Sequence, residues 1–453
     1  MYDIAIIGGG PGGYVAAIKA AQNGKKTILF EMDQIGGVCL NKGCIPTKAL
    51  LKSASVYHMM QNAAFFGINT NGISADWTAV MARKTKVVGH LVGGIGQLVQ
   101  ANGINLVSGR ATLKDAHTIA ANGTDYTAEN IILATGSQPT LPPIEGIREA
   151  DVMTSDDLLN MQELPQSMVI IGGGVIGLEF AFLLHRFGVR VTIIEMLPDI
   201  LAMADAAIIA AVAKDLKKAG VAIVTGAKVK RVEKGAVLYE KDDAEARVDA
   251  DRILIATGRR PSFDAAMLDR VEISHAKGVV HTDDCMRTNV PGIYAIGDLN
   301  GKSMLAHTAS EEGIVAVEHI CGHAVSMDYR FIPQCVYLEP EIAWVGITEQ
   351  QARAAGYDVN IGTFPIGANG KSVIEAETTG FIKFVADRKH GEILGAHLYC
   401  AHATDMIAEV ALAMKSECCI EDIAGCIHPH PTVSEAIMEA ANATIGKAIH
   451  SVK

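Results

Sequence analysis

Two cysteines stand five positions apart in residues 36–48, which read GGVCLNKGCIPTK. Cys39 and Cys44 could form a redox-active disulfide, half of a metal site, or two unrelated buried thiols. In a straight helix, Cα atoms five residues apart lie about 8.6 Å from each other, beyond the ~7 Å that a disulfide tolerates. A bridge therefore requires a break between the cysteines, where Asn41 and Gly43 tolerate turn conformations.

Pro46 follows the second cysteine and bears on its chemistry. A proline disfavours helical geometry at the preceding residue, Ile45, and fits the first turn of a new helix. Cys44 should then lie just before a helix N-terminus, where the helix dipole stabilises a thiolate. Structural zinc needs four ligands, usually as two close pairs, and no matching second pair is near. These residues favour a redox pair and leave inert thiols as the open alternative.

A histidine and a carboxylate stand close together near the C-terminus, in IHPHPTVSEAIMEA. A neighbouring carboxylate fixes the tautomer of an imidazole and stabilises its protonated form, so His430 and Glu435 could act as a general base. Two prolines bracket His430, and Thr432 or Ser434 could cap the helix in whose first turn Glu435 lies. From the residues alone, a structural role is the more common one for a loop histidine.

The N-terminal stretch that must help to position these groups reads YDIAIIGGGPGGYVAAIKAAQNGKKTILFEMD. An apolar strand, the glycines Gly8, Gly10 and Gly13, a helix and a second strand ending at Glu31 follow one another. The first glycine permits a tight turn, the second admits a pyrophosphate, and the third allows helix and strand to pack closely. Glu31 can accept hydrogen bonds from ribose hydroxyls. The pattern predicts a dinucleotide-binding unit.

The same pattern recurs 164 residues later, with Gly172, Gly174, Gly177 and Glu195. In both copies the acidic residue follows the first glycine by 23 positions. This internal duplication predicts two dinucleotide units. An acidic residue at the end of the second strand repels a 2′-phosphate, and the following MLPDIL contains no base. The second site is therefore predicted to prefer NAD to NADP.

Three further glycines close apolar runs: Gly136 in NIILATG, Gly258 in RILIATG and Gly297 in TNVPGIYAIGD. The first two runs indicate the closing strands of the two nucleotide units. The pair Gly297 and Asp298 could place a carboxylate on a sugar hydroxyl of a larger dinucleotide. For each run, a plain strand-to-loop turn is the alternative that the residues leave open.

The composition of the 453-residue chain bounds the classes of function. Its length suggests about three domains, and 49% hydrophobic residues supply a large core. A net charge of −11 with dispersed basic residues argues against nucleic acid or an anionic membrane as a partner. Nine cysteines, without the density of a disulfide scaffold, should be mostly reduced. No signal peptide, presequence or membrane-spanning pattern is found, so a soluble, cytoplasmic protein is expected.

Together, GGVCLNKGCIPTKALL, GGGPGG with Glu31, GGGVIGLE, TNVPGIYAIGD and HPHPTVSE resemble the flavin-dependent pyridine nucleotide–disulfide reductase family. The resemblance covers the chain from Tyr2 to about Ile445. It implies an α/β fold with two Rossmann-like dinucleotide-binding domains and a C-terminal α+β interface domain. FAD is expected in the first nucleotide site and NAD in the second. The implied domains are FAD-binding at 1–145, NAD-binding at 146–264, FAD-binding (second part) at 265–333 and interface (dimerisation) at 334–453.

The resemblance also assigns roles to single residues. Cys39 and Cys44 match the redox disulfide, in which Cys39 exchanges with the substrate dithiol and Cys44 faces the flavin. Lys48 and Glu179 match a lysine–carboxylate pair near the flavin. No metal is implied. The implied cofactor-binding residues are Gly8, Gly10, Gly13, Glu31, Lys48, Gly136, Gly297 and Asp298 for FAD, and Gly172, Gly174, Gly177, Glu195 and Gly258 for NAD.

The C-terminal residues match a catalytic pair that reaches the disulfide of the other subunit. His430 and Glu435 are that pair, and His428 matches a more structural histidine. The resemblance therefore implies a homodimer with a shared active site.

The implied activity is oxidation of a protein-bound dihydrolipoyl group, with two electrons passing through the Cys39–Cys44 disulfide and FAD to NAD. The implied partner is a lipoyl-bearing acyltransferase or an H-protein-like carrier, in a 2-oxo acid dehydrogenase or glycine cleavage system. Alternatives are another flavin-dependent disulfide reductase, a mercuric reductase or a flavin-binding docking subunit. Lys42 stands where the family commonly has small or apolar residues, and either tunes the thiols or is exposed without consequence.

Overall fold

The computed structural model describes residues 1–450. Within this part of the chain, no helix combines the length and the apolar character that a membrane span requires.

The first sheet is built mainly from the N-terminal third of the chain. Its strands β3, β2, β1 and β6 are parallel neighbours in that order, and β4 and β5 form an antiparallel extension of β6. All four residues from Ile4 to Ile7 are buried, as expected of a covered parallel strand. The elements are β1 (Tyr2–Ile7), α1 (Pro11–Gln22), β2 (Thr27–Glu31), α2 (Gly37–Lys42), α3 (Cys44–Gln61), α4 (Trp77–Ala101), β3 (Asn105–Ser108), β4 (Ala111–Leu113), β5 (Thr118–Ala121), β6 (Thr124–Leu133) and β7 (Ser137–Pro139).

The middle of the chain repeats the strand–helix–strand arrangement of the first sheet. Strands β10, β9, β8 and β14 form a parallel sheet in that order, β11 to β13 form an antiparallel sheet beside it, and β15 pairs with β7. The elements are α5 (Ser155–Leu158), β8 (Ser167–Ile171), α6 (Val175–Arg186), β9 (Arg190–Ile194), α7 (Ala206–Ala219), β10 (Ala222–Val224), β11 (Lys228–Glu233), β12 (Ala236–Lys241), β13 (Ala244–Asp249), β14 (Arg252–Ile255) and β15 (Arg259–Pro261).

The chain then returns to the first sheet. The next elements are α8 (Ala265–Arg270), β16 (His275–Ala276), β17 (Val279–Val280), β18 (Ile293–Ala295) and α9 (Ala306–Ile320). Strand β18 lies parallel to β6 at the edge of the parallel set. Helix α9 packs closely on α1, because a Cβ added to Gly313 would lie 2.6 Å from the carbonyl oxygen of Gly12.

The C-terminal part is an antiparallel sheet with helices against it. Its strand order is β19, β20, β23, β22, β21, and every residue of β23 is buried. The elements are β19 (Gln334–Val336), β20 (Glu341–Gly346), α10 (Glu349–Ala354), β21 (Val359–Pro365), α11 (Gly370–Glu375), β22 (Phe381–Asp387), β23 (Ile393–Cys400), α12 (Ala403–Lys415), α13 (Ile420–Gly425) and α14 (Glu435–Thr444). Two Rossmann-like sheets followed by an α+β unit confirm the predicted fold class.

Both apolar and charged contacts join the three parts. One buried apolar cluster contains Leu50 of α3, Leu183 of α6 and Trp344 of β20. A buried ion pair links β22 to the start of α7, where Lys383 Nζ lies 3.0 Å from an oxygen of Asp205. The apolar cluster fixes α3 and α6, which carry the charged residues of the candidate site.

Candidate active site

The two cysteines flank a break between two helices. Helix α2, which contains Cys39, ends at Lys42, and α3 begins at Cys44. Gly43 lies between them, and a Cβ there would approach the carbonyl oxygen of Val38 to 3.0 Å. The break that a bridge requires is therefore present.

The prediction that proline removes the preceding residue from the helix is wrong. Cys44 is the first residue of α3 and not a residue before it, and Ile45 is helical. Pro46 occupies the third helical position, where a backbone N–H has no intrahelical acceptor in any case. The helix can therefore begin two residues before the proline without losing a hydrogen bond.

The two thiols are free in the structure and are unequal in acidity. A hydrogen bond from the Cys39 thiol lowers the pKa of Cys44 to about 7, and the Lys48 ammonium acts in the same direction while burial opposes both. The same hydrogen bond, burial and the negative charge on Cys44 raise the pKa of Cys39. Cys44 is therefore the thiolate former, and Cys39 retains its proton.

A charged pair from two distant elements lies beside the thiols. Lys48 Nζ on α3 is 2.9 Å from both carboxylate oxygens of Glu179 on α6. Glu179 is buried, with 3% of its surface exposed. The backbone N–H of Tyr337 donates to Glu179 Oε1 at 3.1 Å, and the Lys48 ammonium lies 4.5 Å from the centroid of the Tyr337 ring. No sequence signal had singled out Tyr337.

Lys42, at the end of α2, pairs with a surface carboxylate. Its ammonium pairs with the carboxylate of Asp33 at 2.6 Å, and both side chains are about half exposed. Among the described residues, the hydrogen-bond and ion-pair partner of the Lys42 ammonium is thus a surface carboxylate and not a thiol.

The first glycine turn has the shape that a pyrophosphate site requires. Gly8 has a φ of +109°, and a Cβ there would lie 2.1 Å from the carbonyl oxygen of Ala134. A Cβ on Gly13 would lie 1.8 Å from the oxygen of Gly8, so strand and helix touch at this point. Around Gly10 the nearest atom would be 3.9 Å away, which leaves its surface open at the start of α1.

The second glycine turn repeats this geometry. Gly172 has a φ of +113°, a Cβ on Gly177 would lie 2.1 Å from the oxygen of Gly172, and Gly174 has open space around it. Glu31 accepts the backbone N–H groups of Gly9 and Asp33, both at 2.7 Å. Glu195 accepts those of Gly173 at 2.6 Å and Leu197 at 2.8 Å. In both turns, an open glycine at a helix N-terminus fits a dinucleotide pyrophosphate.

Asp298 follows β18, and its partner Ser137 follows β6, the parallel neighbour of β18. Ser137 donates its hydroxyl to the Asp298 carboxylate. Arg259 donates from Nε to the hydroxyl of Ser137 at 2.8 Å and from Nη2 to its carbonyl at 2.9 Å. Gly136 and Gly258, beside these residues, have φ angles of +66° and +103° and open space around them. Ser137 and Arg259 were missed from the sequence, because nothing local marks either residue as a partner of Asp298.

Gly297 is fixed by a buried carboxylate. Its N–H donates to Glu312 Oε2 at 2.5 Å, and the Tyr329 hydroxyl donates to Oε1 at 2.6 Å. Burial raises the pKa of Glu312, while these donors oppose the shift. The sequence does not single out Glu312, since one acid in an amphipathic helix has the pattern of a surface residue.

The predicted histidine–carboxylate pair is formed. His430 Nδ1 lies 2.9 Å from Glu435 Oε1, and the His430 side chain is 78% exposed. Burial tends to raise the pKa of Glu435. The N–H of Thr432, 2.9 Å away, and the His430 ring outweigh burial and hold this pKa below its usual range. The expected hydroxyl cap is wrong, because Ser434 makes no side-chain capping bond and Glu435 itself accepts the Thr432 N–H.

His428 has a different environment from His430. Its side chain is 4% exposed, with Nε2 2.9 Å from Glu409 Oε1 and Nδ1 3.1 Å from the carbonyl oxygen of Cys426. Within residues 1–450 of one chain, no hydrogen bond or ion pair joins His430 or Glu435 to the cysteines. One chain therefore presents two separate groups, the dithiol with its charged pair and the exposed histidine pair.

Comparisons with known proteins cover almost the whole chain. The model of the pyridine nucleotide-disulphide oxidoreductase family matches residues 2–313, and that of the family's dimerisation domain matches residues 332–441. A dihydrolipoyl dehydrogenase of Bacillus subtilis is 42% identical, with 99% of each chain covered. One from Mycobacterium tuberculosis is 40% identical, again with 99% of each chain covered.

Solved structures give the same relationship. The HOCl-induced flavoprotein disulfide reductase RclA from Escherichia coli has a TM-score of 0.88 at 29% identity, covering 97% of this chain and 99% of its own. LpdA from Mycobacterium tuberculosis has a TM-score of 0.90 at 26% identity, covering 98% of this chain and 99% of its own.

Proposed function

Because the chain belongs to the pyridine nucleotide-disulphide oxidoreductase family, we propose that it is an enzyme that oxidises dihydrolipoyl groups with NAD. The observation that carries this function is the full-length identity of about 40% to several dihydrolipoyl dehydrogenases. The paired thiols and the exposed histidine pair supply the groups that such a reaction needs. FAD and NAD are its cofactors. When bound, FAD would supply a two-electron acceptor for the dithiol and NAD would supply the final hydride acceptor.

In the proposed reaction, the chain's own residues exchange a disulfide with the substrate. His430 takes a proton from one substrate thiol, and the resulting thiolate attacks Cys39 of the oxidised pair, which releases the Cys44 thiolate. The second substrate thiol then attacks the mixed disulfide, closes the lipoyl ring and releases Cys39. Lys48 supports negative charge beside Cys44, since an ammonium in a partly buried site stabilises a nearby anion.

The proposed cofactor sites follow the two glycine turns and the strand ends beside them. Gly8, Gly10, Gly13, Glu31 and the group around Asp298 hold FAD, while the second turn with Glu195 holds NAD. The open surfaces of Gly10 and Gly174 support these assignments. The proposed domain limits remain 1–145 with 265–333, 146–264 and 334–453.

A homodimer completes the proposed active site, with the histidine pair of one subunit facing the cysteines of the other. The match to a dimerisation domain and the 78% exposure of His430 support this arrangement. Mixed dimers test it. Cys44→Ser and His430→Gln homodimers should each be nearly inactive, and a dimer of one chain of each should regain one working site. Mixed dimers without activity would place the pair and the cysteines in the same chain.

The proposed partner is a separate lipoyl-bearing acyltransferase or H-protein-like carrier. A cytoplasmic location stays a prediction from the sequence.

The activity is tested with purified, FAD-loaded protein. NAD should be reduced when dihydrolipoamide is supplied, and NADP or glutathione should give only a small fraction of that rate. Reduction of oxidised glutathione by NADPH, or of mercuric ion by a reduced nicotinamide, without turnover of dihydrolipoamide would overturn the proposal in favour of another disulfide reductase or a metal reductase.

A further inference from the structure

Tyr337 contacts both members of the charged pair beside Cys44, through two different parts of the residue. Its backbone N–H donates to Glu179 Oε1 at 3.1 Å, and the centroid of its ring lies 4.5 Å from Lys48 Nζ. It follows β19 in the C-terminal part of the chain, whereas Lys48 and Glu179 belong to α3 and α6. Tyr337 is thus the point at which a third part of the chain contacts the redox group.

We propose that Tyr337 is a positioning residue whose ring holds the Lys48 ammonium where it stabilises the Cys44 thiolate. The inference rests on the roles of Lys48 and Cys44 in the proposed function, and its test does not depend on the identity of the substrate.

The Lys48 ammonium stands at the end of a flexible side chain. A lysine side chain has four rotatable bonds, so one ion pair restricts its ammonium only partly. The face of an aromatic ring attracts a cation without taking its proton and without adding a negative charge. The Tyr337 ring therefore adds a second, non-ionic contact to the one that Glu179 provides. The buried position of Glu179 and the N–H of Tyr337 fix the first contact.

Two neighbouring side chains, Tyr337 and Cys335, stay neutral in this corner of the site. Burial raises the pKa of Tyr337 to about 12, so the phenol stays neutral beside the thiolate. Burial also raises the pKa of Cys335 to about 11, and this third thiol therefore stays protonated at neutral pH. Glu341 also raises the pKa of both Tyr337 and Cys335, so it adds a further negative charge to this corner beside Glu179 and Cys44.

The test measures the acidity of Cys44 directly. In FAD-loaded protein with Cys39→Ser, no bridge can form, and the pH at which Cys44 ionises is read in two ways. One is the long-wavelength absorption that a thiolate gives beside oxidised flavin. The other is the rate at which iodoacetamide alkylates Cys44, followed by mass spectrometry of its peptide. Tyr337→Leu, Tyr337→Phe and Tyr57→Leu are compared in this background.

Tyr337→Leu should lower the alkylation rate at neutral pH about threefold and move the absorption midpoint to higher pH. Tyr337→Phe should behave like the parent, because it keeps the ring. Tyr57→Leu is the matched control, since Tyr57 is half-buried on α3 and stacks on Phe187 at 5.7 Å. The inference would be overturned if Tyr337→Leu left the ionisation and alkylation of Cys44 unchanged. It would also be overturned if Tyr337→Phe or Tyr57→Leu lowered the alkylation rate as much as Tyr337→Leu does. If Cys44 shifts as expected but the enzyme does not turn over lipoamide, only the substrate assignment is overturned.

Discussion

Lys48 and Glu179 stand 131 positions apart in the sequence, yet the lysine ammonium lies 2.9 Å from both oxygens of the carboxylate. Lys48 follows the second cysteine by four residues on α3, and Glu179 lies on the helix that starts at the second glycine turn. The lysine beside the thiols therefore belongs to the first nucleotide unit, and its carboxylate partner belongs to a helix of the second.

The two members of this pair should move the acidity of Cys44 in opposite directions. Lys48 lowers the pKa of Cys44 and Glu179 raises it. We expect Lys48→Met to shift ionisation of Cys44 to higher pH and Glu179→Gln to shift it to lower pH. The pH dependence of Cys44 alkylation in the Cys39→Ser background measures both shifts. Lys52→Met, on the exposed side of the same helix, should change nothing, and shifts of the same sign in both variants would contradict the electrostatic explanation.

Cys44→Ser should abolish reduction of NAD by dihydrolipoamide, because serine can form neither a bridge to Cys39 nor a thiolate. FAD should remain bound, since the glycine turn and Asp298 are unchanged. Flavin absorbance and steady-state NADH formation measure the two outcomes. The exposed Cys426 provides the control, and Cys426→Ser should turn over like the parent enzyme. Parental turnover in Cys44→Ser would remove the thiol pair from the mechanism.

His430→Gln should keep FAD and the thermal midpoint but lose turnover by about 10²- to 10⁴-fold, the range expected for loss of a general base. Stability should not change, because the side chain is 78% exposed. His90→Gln on the exposed face of α4 is the control for removing an imidazole. A His430→Gln enzyme that melts at a lower temperature and keeps its rate would show that the histidine is structural.

Much of the nucleotide-binding architecture could be predicted from the sequence because its determinants are local. A strand, three glycines, a helix and an acid lie within about 30 residues, so their order alone constrains the turn. The two copies confirm each other, since Glu31 and Glu195 accept the N–H groups of equivalent residues.

The contacts that complete the site escaped prediction because they join distant residues that carry no shared pattern. Tyr337 reaches Glu179 across 158 positions, and Arg259 reaches Ser137 across 122. The start of α3 was misplaced for a different reason. Pro46 lies in the first turn of α3, where its missing N–H costs no intrahelical hydrogen bond, so the bias against a helical residue before proline does not decide the conformation of Ile45.

His428 should make a pH-dependent contribution to stability. The hydrogen bond to Glu409 raises the pKa of His428, and burial opposes the rise. Because the folded-state pKa lies above the unfolded value of about 6.5, the contribution is complete below that pH and is lost as pH rises through the raised pKa. The difference in thermal midpoint between the parent and His428→Gln should therefore shrink as pH rises from about 6 to about 9.

A carboxylate variant tests the source of that pH dependence. Glu409→Gln removes the charge that raises the pKa of His428. In this background, the difference in thermal midpoint between histidine and glutamine at position 428 should no longer depend on pH. A pH dependence that survives Glu409→Gln would assign the effect to another group.

The buried ion pair between Lys383 and Asp205 should be costly to break. Lys383 is 7% and Asp205 2% exposed, and Lys383 Nζ also lies 2.9 Å from Glu349 Oε2. Lys383→Met leaves the Asp205 carboxylate buried beside apolar atoms, which should reduce stability by about 3–5 kcal/mol. The double variant with Asp205→Asn should recover much of this loss, because asparagine still caps α7 and no buried charge remains. Thermal midpoints compare the variants, with exposed Lys217→Met on α7 as control. If the double variant were less stable than Lys383→Met, the cost would come from lost packing and capping rather than from an unpaired charge.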